Sequence, residues 1–119
     1  MKYCWTTISV KDLDASIAFY RDIVKLPVKR RFPVGPGSEI AFLGDGETQI
    51  ELIKHPHEAP PIGAGISLGF AVDSLDETLA FIAKQGIEVE SGPFQPTDQI
   101  KFFYVLDPNG VHIQFAQST

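Results

Sequence analysis

The apolar and polar positions of this chain switch period in a fixed order, from strand-like to helical and back. Residues 3 to 10 (Tyr-Cys-Trp-Thr-Thr-Ile-Ser-Val) are rich in aromatic and β-branched types and predict a strand. After Lys11 and Asp12, the apolar residues Leu13, Ile17, Tyr20 and Val24 fall at helical spacing, which predicts an amphipathic helix with Asp12 as its N-cap and Pro27 beyond its end. Residues 28 to 34, 38 to 44 and 48 to 54 are apolar or alternating, and Gly35-Pro36-Gly37 and Gly44-Asp45-Gly46 separate them as turns. Three antiparallel strands are expected there.

The same order then begins again. Val10, Leu13, Asp14, Ser16, Ile17, Ala18 and Phe19 reappear at one constant interval as Val72, Leu75, Asp76, Thr78, Leu79, Ala80 and Phe81. Gly65 to Asp73 predicts a strand and Ser74 to Gln85 a helix. Ser74 and Glu77 supply a capping box and Gly86 suits the C-terminal cap. Strands are expected at 87 to 91, 100 to 107 and 111 to 117, with Asp107-Pro108-Asn109-Gly110 as the tight turn before the last. Pro56, Pro60 and Pro61 keep 55 to 64 out of any central strand, so it reads as a stiff linker. The chain is thus one α+β domain over 1 to 119, built of two βαβββ modules, 1 to 54 and 65 to 119. Neither module is large enough to bury its own apolar face alone.

Composition narrows the function classes. A length of 119 residues with 44% hydrophobic and 21% charged residues suits one soluble domain. The net charge of -5 argues against a nucleic-acid binder or an acidic-membrane binder, which need a basic face. No apolar run reaches the length of a membrane span and no signal segment is evident, so a cytoplasmic location is expected. The single cysteine, Cys4, fits a reducing compartment and reads as a small buried hydrophobe, with Ile66 as its counterpart in the repeat.

Val10 to Tyr20 (Val-Lys-Asp-Leu-Asp-Ala-Ser-Ile-Ala-Phe-Tyr), Ile50-Glu51-Leu52, the second copy at Val72 to Phe81, and Asp107-Pro108-Asn109-Gly110 occur in an order that resembles the vicinal oxygen chelate superfamily. That superfamily includes glyoxalase I, extradiol dioxygenases and the bleomycin-resistance binding proteins. The resemblance implies a curved, cup-shaped mixed sheet with helices outside. It also implies divalent-metal ligands on the first and last strand of each module. Those positions correspond here to Trp5, Ser67, Glu51 and Gln114, of which only Glu51 is a usual ligand. The expectation is therefore that no cofactor is bound. A non-standard divalent-metal site using Glu51 and His112 is the alternative.

Strand alternation gives the same lining independently. With Ile8 and Val10, Ile50 and Leu52, and Ile113 and Phe115 under the helices, the opposite face receives Tyr3, Trp5 and Thr7, then Gln49, Glu51 and Ile53, then His112, Gln114 and Ala116. Parity does not decide which of Phe102, Phe103 and Tyr104 joins them; Phe103 is taken as the ligand-facing member. Tyr3, Trp5, Thr7, Gln49, Glu51, Ser67, Phe103, His112 and Gln114 are thus the candidate ligand-binding residues. Glu51 is also the candidate catalytic base.

Trp5 favours stacking of a planar small molecule over metal chemistry. Lys29, Arg30 and Arg31 form the one basic cluster and read chiefly as solvated edge-strand residues, with anion binding as the other use. The leading reading is a metal-independent, homodimeric protein that binds an aromatic or amphipathic small molecule. The rivals are a glyoxalase-, lyase- or dioxygenase-like enzyme and a non-catalytic interaction or regulatory module.

Overall fold

The structure is a computed structural model describing residues 1 to 118. The chain divides into two compact units, one spanning Met1–Pro61 and the other beginning at Ile62. In the first, β1 (Trp5–Ser9) is followed by α1 (Leu13–Ala18), β2 (Val28–Pro33), β3 (Glu39–Leu43) and β4 (Gln49–Lys54). In the second, β5 (Ser67–Ala71) is followed by α2 (Leu75–Lys84), β6 (Ser91–Thr97), β7 (Ile100–Leu106) and β8 (His112–Ser118). Each unit holds one four-stranded mixed sheet, ordered β1-β4-β3-β2 in the first and β5-β8-β7-β6 in the second. The repeated βαβββ unit is therefore present in both halves.

Within each unit the first strand pairs in parallel with the last, as Thr7 opposite Glu51 and as Gly69 opposite Gln114. The remaining neighbours are antiparallel. The helix covers one face of the sheet, where Ile8, Val10, Ala41, Leu43, Ile50 and Leu52 are buried with Leu13 and Ile17 of α1. Phe103, Val105, Ile113 and Phe115 are buried on the corresponding face of the second sheet, with Leu75 and Ile82 of α2.

Both helices start as the sequence dictates. Asp12 accepts a hydrogen bond from the Ala15 amide at 3.1 Å, and Ser74 Oγ accepts from the Glu77 amide at 3.2 Å. In the second unit Gln117 Oε1, on β8, also accepts from the Leu75 amide at 2.7 Å, fastening the first turn of α2 to the sheet. The helix ends differ. Gly86, at φ 74°, donates to Ala83 O while Ile87 donates to Ile82 O, a paired closure of the last turn that needs a left-handed residue. In the first unit that residue is Lys25, at φ 69°. The chain reaches it through a π-helical turn, Phe19–Ile23, which absorbs an extra residue before the same closure (Leu26 N to Tyr20 O, 2.9 Å).

Three expectations are corrected. The strand expected at 87 to 91 lies instead at Ser91–Thr97, because β6 is an outer strand whose pairing shifts register on both sides of Phe94. Pro93 and Pro96 fall in those irregular stretches, where a missing amide donor breaks no ladder bond. Gly92 starts the irregularity at φ 95°, and a Cβ there would lie 3.1 Å from the backbone of Phe102 and Phe103. Cys4 is exposed rather than buried, since it precedes β1, and its counterpart Ile66 is exposed too. Tyr3 also precedes β1. Its hydroxyl is engaged by Thr6, which pairs with the buried Ile50, so Tyr3 does not join the face that carries Trp5.

Candidate functional site

The face of the first sheet turned away from α1 carries Trp5 and Thr7 from β1, Gln49 and Glu51 from β4, Phe42 from β3, and Arg30 and Phe32 from β2. Trp5 reaches across β4 to meet Phe42 edge-on, with ring centroids 5.4 Å apart. From the other side the Arg30 guanidinium lies 4.4 Å from the Phe42 centroid and 5.7 Å from that of Phe32. Phe42 is consequently 4% exposed, while Trp5 keeps 46% of its surface open. Thr7 Oγ1 donates to Glu51 Oε1 at 2.5 Å, so the inward carboxylate has a strong neutral donor. Sequence reasoning placed Trp5, Thr7, Gln49 and Glu51 here correctly. It missed Phe42 and Arg30, although the alternation Ala41, Phe42, Leu43 between two buried neighbours already singles out Phe42.

The basic cluster separates by the same alternation. Arg31 points to the helix side and is held by Asp14 of α1 at 2.8 Å and by Glu39 of β3 at 2.7 Å. Hydrogen bonds to Glu39 and then Asp14 raise its pKa, and the same guanidinium holds the Glu39 carboxyl below its ordinary value. Arg30 makes no ion pair among the described residues and rests on aromatic rings instead.

In the second unit Ser67, His112, Gln114 and Ala116 share the face away from α2, as expected. Phe103 does not. It is 0% exposed and pairs with Phe115 on the helix side, rings 5.4 Å apart, so its assignment to the ligand face is overturned. Phe102 and Tyr104 take that face. The repeat held the clue: the interval that relates the two copies carries Ala41 onto Phe103 and Phe42 onto Tyr104.

Tyr104 accepts a hydrogen bond from Gln114 Nε2 at 3.1 Å, and its ring meets that of His112 in a T-shaped arrangement, centroids 6.4 Å apart. His112 Nε2 lies 3.8 Å from Glu90 Oε1, whose other oxygen accepts from Ser91 Oγ at 2.6 Å. His112 Nδ1 is buried without a partner, so the surroundings favour the tautomer carrying its hydrogen on Nε2. Tyr104, His112, Glu90 and Ser91 line a polar recess of about 330 Å³ with Ser67 and Ile66. Phe94, Gln95, Pro96 and Phe102 line a second, apolar recess of about 500 Å³.

Superposing the two pairing schemes gives position for position Trp5 and Ser67, Glu51 and Gln114, Gln49 and His112, Phe42 and Tyr104, and Phe32 and Phe94. The four positions that the sequence resemblance links to a metal are therefore an indole, a serine hydroxyl, a carboxylate and an amide whose nitrogen is engaged with Tyr104. An indole N–H has no lone pair to give, and the set does not fit a divalent ion. Among the described residues no three histidine, cysteine or acidic side chains are grouped to hold a metal. His55 and His57 stack on each other, rings 4.9 Å apart, beyond the end of β4.

Residues 2–115 match the family model of the Glyoxalase/Bleomycin resistance protein/Dioxygenase superfamily. The chain belongs to this superfamily. The uncharacterized protein YwbC of Bacillus subtilis (strain 168) is 31% identical to it over 118 residues, covering 94% of each chain. A glyoxalase family protein from Bacillus cereus has the same fold, with a TM-score of 0.83, 22% identity and coverage of 99% of this chain and 94% of that one. So does TnmS3, an antibiotic binding protein from Streptomyces sp. CB03234, with a TM-score of 0.80, 21% identity and coverage of 100% and 97%. The glyoxalase/bleomycin resistance/dioxygenase fold thus accounts for both sheets and for the duplicated unit. Among the described residues no helix is long and apolar enough to cross a membrane.

Proposed function

We propose that this superfamily member binds a planar aromatic or amphipathic small molecule against the open face of its first sheet, without a metal. The observation that carries this reading is the half-exposed Trp5 indole, fixed edge-on against Phe42, with the Arg30 guanidinium 4.4 Å from the centroid of the same ring. A rigid aromatic surface offers contact area at low cost in conformational entropy, and the neighbouring Thr7, Gln49 and Glu51 supply directed polar contacts. In the second unit Ser67, His112 and Gln114 present polar contacts of the same kind. The name of TnmS3, an antibiotic binding protein, adds support for small-molecule binding on this fold. The donor set at the four metal-equivalent positions supports metal independence.

Two measurements test the proposal. Trp5 is the single tryptophan, so its fluorescence should respond to planar compounds in a titration series, and by titration calorimetry Trp5→Ala should lose that binding while Trp5→Phe retains part of it. Unchanged affinity in Trp5→Ala would remove this face from the site. Elemental analysis of protein purified without chelators or a metal-affinity tag should find no stoichiometric divalent metal; one ion per chain would overturn metal independence.

A further inference from the structure

We infer that the molecule bound beside Trp5 is an aromatic anion, its carboxylate held by the Arg30 guanidinium. This inference rests on the proposal that the open face of the first sheet is a ligand site, and it adds the charge class of the ligand.

Lys29, Arg30 and Arg31 are adjacent on β2, yet strand alternation gives Arg30 and Arg31 different electrostatic roles. Arg31 is neutralised on the helix side by Asp14 and Glu39, the latter through a fork of 2.7 and 3.2 Å. Arg30 has neither partner. Its guanidinium lies over Phe42 and Phe32, and no carboxylate among the described residues reaches ion-pair distance. Glu51, the acid on this face, is paired across from Phe42 rather than from Arg30, and one of its oxygens is occupied by Thr7.

A guanidinium resting on an aromatic face keeps its in-plane N–H groups free for a two-point contact with a carboxylate. The ring beneath it also limits the rotamers that would otherwise be lost on binding, which lowers the entropic cost. Trp5 on β1 and Arg30 on β2 both contact Phe42, whose strand lies between theirs, so an aromatic plane laid on the indole can carry an attached carboxylate toward Arg30. The net charge of -5 makes general attraction of anions by the chain unfavourable, so a preference for an anion must come from this local cation.

The test compares 2-naphthoate with 2-naphthamide, which share a ring system and differ in charge, by titration calorimetry on the full chain at low ionic strength. Naphthoate should bind at least tenfold more tightly. Arg30→Gln should bring the naphthoate-to-naphthamide ratio down to about one, and Arg30→Lys should retain a part of it as a point charge. Arg31→Gln should keep the ratio intact. Equal affinities in the unmodified protein, or a preference that survives Arg30→Gln, would overturn the anion assignment while leaving the aromatic site standing. If neither compound binds, both the site and its charge class are overturned.

Discussion

Arg31 and Asp14 tie the outer strand of the first sheet to its helix, with the guanidinium Nη2 2.8 Å from Asp14 Oδ1. The same side chain forks onto Glu39. Hydrogen bonding to Arg31 lowers the folded-state pKa of Glu39. A lowered carboxylate contributes stability above its ordinary, unfolded value and loses it as pH falls through the folded value. Thermal midpoints measured from pH 7 down to pH 3 should therefore fall more steeply for the unmodified protein than for Arg31→Gln. Parallel profiles would show that the pair is inert. The groups are largely exposed, so the difference should be small and should shrink in high salt.

Phe103 and Phe102 are neighbours with opposite duties. Phe103→Ala should cost about 3 to 5 kcal/mol in chemical denaturation, because it empties a fully buried site against Phe115. Phe102→Ala should cost markedly less, since Phe102 lies on the open face and is only half-buried. A reversed order of the two would put Phe103 on the open face instead.

The two helix ends make a matched pair of substitutions. Gly86→Ala should destabilise by about 1 kcal/mol, because a left-handed backbone penalises a Cβ. Lys25→Gly, at the equivalent left-handed position, should stabilise by a few tenths to about 1 kcal/mol for the converse reason. Equal and opposite denaturation midpoints would be the clearest outcome; a destabilised Lys25→Gly would mean that the lysine side chain outweighs its backbone strain.

Asp107 closes the turn before β8. Its Oδ1 accepts from the amides of both Asn109 and Val111 at 2.8 Å, inside a nearly buried site. Asp107→Ala should lose about 1 to 3 kcal/mol, as the inner amide is left without its partner. Asp107→Asn keeps an acceptor at Oδ1 and should recover most of that loss in the same denaturation assay.

The sequence made the scaffold legible because its signals are local. Asp12 and Ser74 mark helix starts, Gly86 a helix end, and the alternation around Ile50 and Leu52 sets which face Glu51 occupies. It also placed Trp5 and Thr7 on the face turned away from α1. What it could not yield depends on partners distant along the chain. Arg30 and Arg31 are indistinguishable by residue type, and only the positions of Asp14, Glu39 and Phe42 separate them. Phe103 went to the wrong face because three aromatic residues in a row carry no alternation to read. The outer strand β6 was misplaced because prolines that forbid a central strand are tolerated at an edge.

The parallel pairing of each unit's first strand with its last also orders events during synthesis. As the nascent chain emerges, Trp5–Ser9 has no ladder partner until Gln49–Lys54 has been made, so the first sheet cannot close before its last strand is complete. The aromatic face on which Trp5 meets Phe42 is assembled at that same moment. A ribosome-stalled chain ending before Gln49 would therefore lack the strand that lies between those of Trp5 and Phe42, which makes the emission of the single tryptophan a reporter of when the unit completes.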